Sequence, residues 1–284
     1  MLGSGRLGTI MDTFTRCGLT FDVIDSGPAD GDPVILLHGF PQTASSWSQV
    51  SELLTAQGFR TIAPTQRGYS PRARPRGRWH YRTSELTADI VALVEQIGRG
   101  PVHVVGHDWG ALVAWSLAMN RPDLVRSLTS VSVPHPGAFI RSMTRSRQAL
   151  MSWYMYFFQI PWLPELVITR IRSVLPTGLQ RTGMSLDEVA VVQREIVDGS
   201  SLTGGLNWYR AMLLDGPGAL KRTVSAPTTH VWSSGDTALA RSGAELAHEY
   251  VTGDFRLEII DGASHWLPDQ RPAELATIIL DRIS

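Results

Sequence analysis

The chain has 284 residues, 43% of them hydrophobic, enough to bury the core of one α/β domain with an insertion or of two small domains. Its 26 basic and 26 acidic side chains balance, so charge gives no reason to expect nucleic acid or an anionic membrane as the main partner. Cys17 is the only cysteine, which excludes an internal disulfide framework and a cysteine-based metal site and points to a reducing, cytoplasmic setting.

The first residues, Met1 to Ile10, are Gly-rich and lack the apolar stretch of a signal peptide, and Met11 is a second candidate start. Leu19 to Ile24 reads as an early strand and Val34 to His38 as a buried one, an apolar run ending at glycine. A helix follows at Ser46 to Gln57, then a strand at Arg60 to Ala63. Arg72, Arg74, Arg76 and Arg78 lie among prolines and glycines and read as a solvated loop. The next helix has the clearest period, with Leu86, Ile90, Leu93, Val94 and Ile97 on one face and Thr83 or Ser84 as its cap. Val102 to Val105 is a strand, Leu112 to Met119 a helix closed near Pro122, and Leu128 to Val133 another strand.

From His135 to Arg222 the pattern changes to helical patches rich in aromatics and methionine, without a clear strand. The most apolar run, Leu150 to Leu163, is shorter than the ~20 residues of a membrane helix and is interrupted by Pro161 and Pro164. Strand patterns resume at Thr228 to Trp232 and Arg256 to Ile260, with helices at Ala238 to Tyr250 and Pro272 to Ile283. The alternation predicts an α/β fold with a mostly parallel sheet flanked by helices. The expected division is a core of residues 11–134 and 223–284 with a helical cap of 135–222 inserted in it.

The stretch Val104-Val105-Gly106-His107-Asp108-Trp109-Gly110-Ala111 runs from strand through a small-residue turn into helix. In the G-x-S-x-G nucleophile elbow such a turn lifts its middle side chain above the sheet, and here that side chain is Asp108. A carboxylate at a helix N-terminus is favoured in its ionised form, and the same position suits a simple N-cap aspartate. As a nucleophile it would attack saturated carbon and leave an ester on the enzyme.

Ligands of open α/β sheets bind outside the carboxyl ends of the strands. Two more strand ends carry reactive groups, Asp236 in Ser-Ser-Gly-Asp and His265 in Gly-Ala-Ser-His-Trp, so the chain order is nucleophile, acid, histidine. His265 suits a general base, with Asp236 the preferred orienting acid and Asp261 its competitor. The turn His38-Gly39-Phe40-Pro41 is built to aim the Phe40 N–H into the site, forming an oxyanion hole with the Trp109 N–H.

On these motifs, together with Ser152-Trp153-Tyr154, Phe158-Gln159 and Leu206-Asn207-Trp208-Tyr209-Arg210, the chain resembles the soluble epoxide hydrolases of the α/β-hydrolase fold from about Phe14 to its C-terminus. The resemblance implies that Tyr154 and Tyr209, on the cap, hydrogen-bond the epoxide oxygen. A phenol with an ordinary pKa of ~10 stays protonated at neutral pH and can donate. Phe40, Trp109, Trp153, Phe158 and Trp266 are expected against a largely hydrophobic substrate, with Phe157, Ile160 and Trp162 adding to the apolar cap. Thr65 stands where relatives often carry aspartate, and Met155 follows the first cap tyrosine.

The implied reaction is epoxide to vicinal diol with water. Nucleophile, base and acids are all side chains, so no cofactor and no metal is expected. The expected partners are the epoxide and water, with no nucleic acid and no membrane, and the oligomeric state stays open. Two other readings remain: a haloalkane or haloacid dehalogenase using the same aspartate, and a non-enzymatic ligand-binding member of the fold.

Overall fold

In the computed structural model, which describes residues 10–171 and 173–284, eight strands form one sheet. They are β1 (Thr13–Arg16), β2 (Leu19–Ser26), β3 (Pro33–Leu37), β4 (Arg60–Pro64), β5 (Val102–His107), β6 (Val125–Val131), β7 (Thr228–Ser233) and β8 (Phe255–Ile260). Their order is β1-β2-β4-β3-β5-β6-β7-β8. β3 to β8 run parallel, and β2 is antiparallel to both β1 and β4. The central strands β3 and β5 are buried along their whole length, which explains their unbroken apolar sequence. β1 escapes sequence reading because its four residues include two threonines and an arginine, with only Phe14 fully buried. The Gly-rich lead before Ile10 lies outside the described residues.

Helices cover both faces. α1 (Ser48–Thr55) and, near the C-terminus, α13 (Pro272–Ile283) pack together on one face through Trp47, Leu54, Leu275 and Ile279. α2 (Thr83–Ile97) and α3 (Trp109–Asn120) cover the other with Leu93, Val113 and Trp115. The predicted helix at 46–57 is entered through a 3-10 turn, Ala44–Trp47, so its α-helical part is shorter. α2 spans the predicted region, but its cap is not Thr83 or Ser84. The Asp215 carboxylate accepts from the Thr83 amide at 3.2 Å and from its hydroxyl at 2.5 Å, meeting the free donors of the first turn from far along the chain.

Between β6 and β7 the described residues carry a run of helices: α4 (Pro136–Arg145), α5 (Gln148–Met151), α6 (Trp153–Phe158), α7 (Leu163–Arg170), α8 (Val174–Arg181), α9 (Leu186–Val192) and α10 (Leu202–Met212). α4 packs on α11 (Arg241–Leu246), a helix of the sheet-bearing part. α11 is shorter than the helix expected at 238–250. Ala240 is extended, with its amide donating to Gln148 at 2.7 Å, so α11 starts only at Arg241, and a 3-10 turn, Ala247–Tyr250, carries the helical run to the expected end. α12 (Leu267–Gln270) follows the histidine loop. Among the described residues, no helix is long and apolar enough to cross a membrane.

Candidate active site

β5 ends at His107, Asp108 follows it, and α3 begins at Trp109. The chain achieves this by holding Asp108 at φ +52°, a left-handed conformation that is uncommon for a residue with a side chain. The flanking glycines leave no alternative: a Cβ on Gly106 would overlap the Gly110 carbonyl, and one on Gly110 would overlap the Leu37 carbonyl. Gly39 is equally constrained, because a Cβ there would run into the Asp108 side chain. The next peptide, Phe40-Pro41, is cis, and the Phe40 amide donates to Asp108 Oδ1 at 2.8 Å. Burial opposes the ionised carboxylate. The nearby His265, with His107 and the Trp109 amide, outweighs it and holds Asp108 below its ordinary pKa. Both amides expected to form the oxyanion hole thus act on this carboxyl group.

His265 lies in the loop after β8, with its Nε2 3.6 Å from Asp108 Oδ2 and its Nδ1 2.8 Å from Asp236 Oδ2. Asp236 is oriented through its other oxygen, which accepts from the Ala238 amide at 2.7 Å and the Leu239 amide at 2.9 Å. Asp261, the competing acid, is exposed. The His265 carbonyl accepts from His107 Nε2 at 2.9 Å and from the Ser132 hydroxyl at 3.2 Å, tying the loop to the elbow. Burial disfavours the imidazolium, but the Asp236 and Asp108 carboxylates prevail and push His265 up to about 10. At His107 burial, reinforced by the His265 charge, outweighs the same two carboxylates and lowers it to about 4.

Tyr154 and Tyr209 come to the same place from α6 and α10. Their rings are 6.1 Å apart, and Phe158 packs against both. Tyr209 also meets Trp109 at 4.8 Å and Phe40 at 5.5 Å, which makes a continuous aromatic wall above Asp108. Burial first, and the Asp108 charge second, raise both phenols above their ordinary pKa, so they stay protonated. Trp266 is buried against His265 at 4.9 Å, and its indole N–H donates to Thr182.

Trp153 does not join this set. Tyr154 and Phe158, four positions apart, share the inner face of α6, and Trp153 is turned outward and 66% exposed. Ile160 and Trp162 also face outward, and the inward aromatic surface is made by Phe158, Tyr154, Tyr209 and Trp208, which packs on Trp109 at 5.9 Å.

Sequence reading missed what holds the tyrosines there. Arg210 grips the Glu165 carboxylate at 2.7 and 2.8 Å and donates to the Phe158 and Ile160 carbonyls, so the residue after Tyr209 clamps the end of α6. Gln159 donates to the Tyr209 carbonyl at 2.9 Å. Gly204 and Gly205 let α10 approach the core: a Cβ on Gly204 would collide with Gly68, and one on Gly205 would lie 2.7 Å from the Phe40 ring. Two adjacent glycines in a helical pattern were the available signal, since each weakens a helix by ~1 kcal/mol unless close packing requires it. Among the described residues no cluster of three or more His, Cys, Asp or Glu is placed to hold a metal ion.

Comparison with known proteins adds three findings. The family described as the alpha/beta hydrolase fold matches residues 32–272. The chain is 33% identical to Epoxide hydrolase 4 of Homo sapiens, over 90% of this chain and 73% of that one, and 30% identical to Epoxide hydrolase A of Mycobacterium tuberculosis, over 93% and 94%. It superposes on the crystal structure of Epoxide Hydrolase A from Mycobacterium thermoresistibile with a TM-score of 0.79 at 28% identity, covering 95% of this chain and 97% of that one.

Proposed function

The chain belongs to the epoxide hydrolases of the α/β-hydrolase fold, and from that premise we propose that it opens a largely hydrophobic epoxide through a covalent ester on Asp108. The carrying observation is a carboxylate at the elbow with His265 on one side and, on the other, two phenols whose proton affinity its charge raises. Asp108 attacks an epoxide carbon, the C–O bond breaks, and the ring oxygen takes a proton from Tyr154 or Tyr209. The phenolate is reprotonated at the expense of the His265 cation, which leaves the imidazole neutral when a base is next needed.

Electrostatics support this order of events. Once Asp108 is a neutral ester, it no longer raises the phenols or His265. The neutral imidazole, oriented by Asp236, takes a proton from water as the water oxygen attacks the ester carbonyl. The developing charge falls on an oxygen facing the Phe40 and Trp109 amides. The histidine proton passes to the departing diol oxygen, and the Asp108 proton returns to the histidine, so the net reaction is epoxide plus water to vicinal diol.

The helices of 135–222 act in this reading as a cap on the core of 11–134 and 223–284, carrying the acids to a nucleophile on the sheet. The single, exposed cysteine suits the reducing cytoplasm. Diol formation from a panel of aromatic and aliphatic epoxides, run beside halide release from haloalkanes and haloacids, tests the assignment. Diol that disappears with Asp108→Ala is expected, and halide without diol would make the protein a dehalogenase.

A further inference from the structure

The inward face of the cap serves the reaction, and its outward face is unusual for a surface in water. On α6, Trp153 and Tyr156 sit three positions apart and project outward, 66% and 61% exposed. Leu150, three residues before Trp153, is 75% exposed. On α7, Leu166 and Arg170 share the exposed face, with Pro164 and Ile168 buried beneath. Trp162, between the two helices, is 83% exposed and held at φ +58°. A bulky aromatic residue in the left-handed region carries backbone strain, and among the described residues nothing repays it with burial. α5, α6 and α7 pack in sequence, so these side chains form one neighbourhood.

The charge on these segments is mostly positive, with Arg141 paired to Glu249. Between residues 140 and 186 the sequence has six arginines and a single acid, Glu165, which is already engaged by Arg210. The balance of the whole chain conceals this local excess. Arg145, Arg147, Arg170 and Arg181 are exposed, and among the described residues none has a side-chain hydrogen bond or ion pair.

We propose that the outer face of α5 to α7 docks on an anionic lipid surface, with Trp153, Tyr156 and Trp162 entering the headgroup region and the arginines pairing with lipid phosphates. Tryptophan and tyrosine settle at that depth because one end of each ring system is apolar and the other polar, and free arginines there are drawn to negative lipid. A second copy of the chain fits less well, since a two-fold contact through this patch would set unpaired arginines against their own kind. Docking of this face would bring the same helix that carries Tyr154 against the phase in which apolar epoxides dissolve.

The test is flotation of the whole protein with vesicles of phosphatidylcholine alone and with vesicles of phosphatidylcholine and phosphatidylglycerol in a 7:3 ratio, at low and high salt. Binding to the anionic vesicles, weakened by salt, with a blue shift of tryptophan emission, is expected. Arg147→Gln and Arg170→Gln should each reduce it by about fivefold, and Trp162→Ser should reduce it and remove part of the blue shift. Turnover of a water-soluble epoxide should be unchanged in all three variants, which shows that they fold. Flotation is read without turnover, so it stands or falls separately from the epoxide-hydrolase assignment. Equal binding to both vesicle types, binding to neither, or a dimer abolished by Trp162→Ser would overturn the proposal.

Discussion

His265 Nε2 stands 3.6 Å from Asp108 Oδ2, longer than a strong hydrogen bond and close enough for each charge to stabilise the other. Because Asp236 holds the opposite nitrogen at 2.8 Å, one imidazole lies between two carboxylates in a buried site. The resting state is therefore an ion pair, which the proposed mechanism must dismantle before His265 serves as its base.

Replacing Asp108 with Asn removes one of the two carboxylates and mimics the neutral ester. His265 should then release its proton at a lower pH than the value of about 10 that both carboxylates sustain. A titration of the ring nitrogens by NMR in wild type and Asp108→Asn measures the shift. An unchanged midpoint would mean that Asp236 alone sets the proton affinity, and the coupling of ester formation to base release would fail.

His265→Gln should form the ester and fail to hydrolyse it, so the mass of the substrate should appear on the peptide carrying Asp108. Steady turnover should fall by at least about 10³-fold, as expected when a general base is lost on top of its positioning role. A single turnover of wild type in ¹⁸O-water should place the label in the Asp108 carboxyl group and leave the first diol unlabelled. Label in the first diol would mean direct attack by water.

Gly204→Ala should push α10 away from the Gly68 loop and carry Tyr209 with it. Its rate defect should resemble that of Tyr209→Phe, a loss of about 10²-fold in ring opening if the phenol donates to the leaving oxygen. Pre-steady-state tryptophan fluorescence reads the ring-opening step directly. Equal rates in Gly204→Ala and wild type would show that the close approach of α10 is not what positions the phenol.

Four buried histidines, His38, His107, His135 and His230, are held by burial down to about 4. Below pH 6.5 the unfolded chain binds protons at these positions and the native state does not, so stability falls as the pH drops from 6.5 toward 4. Each histidine contributes a loss of up to about 1.4 kcal/mol per pH unit in that window. Thermal unfolding between pH 7.5 and 4.5 checks the sign, and a Tm that rises on acidification would refute it. His265 works oppositely: its contribution is complete below pH 6.5 and disappears as the pH rises through about 10.

The sequence by itself determined the strands β3 and β5, the elbow at Asp108 and the chain order Asp108, Asp236, His265. Each rests on a local signal: an apolar run where a strand is buried on both faces, small residues where backbones nearly touch, a reactive side chain just past a strand end. Tertiary structure decided the rest. Asp236 and Asp261 both lie in turns near His265, and only the folded loop shows Asp236 turned inward by two amides with Asp261 left in solvent. Trp153 and Tyr154 are neighbours in sequence and equally aromatic, so composition could not tell the inward ring from the outward one. The six-residue helix α6 is too short for its own periodicity to settle the matter. Its orientation is set by Arg210, more than fifty residues after Trp153, whose guanidinium grips Glu165 and the carbonyls at the end of α6.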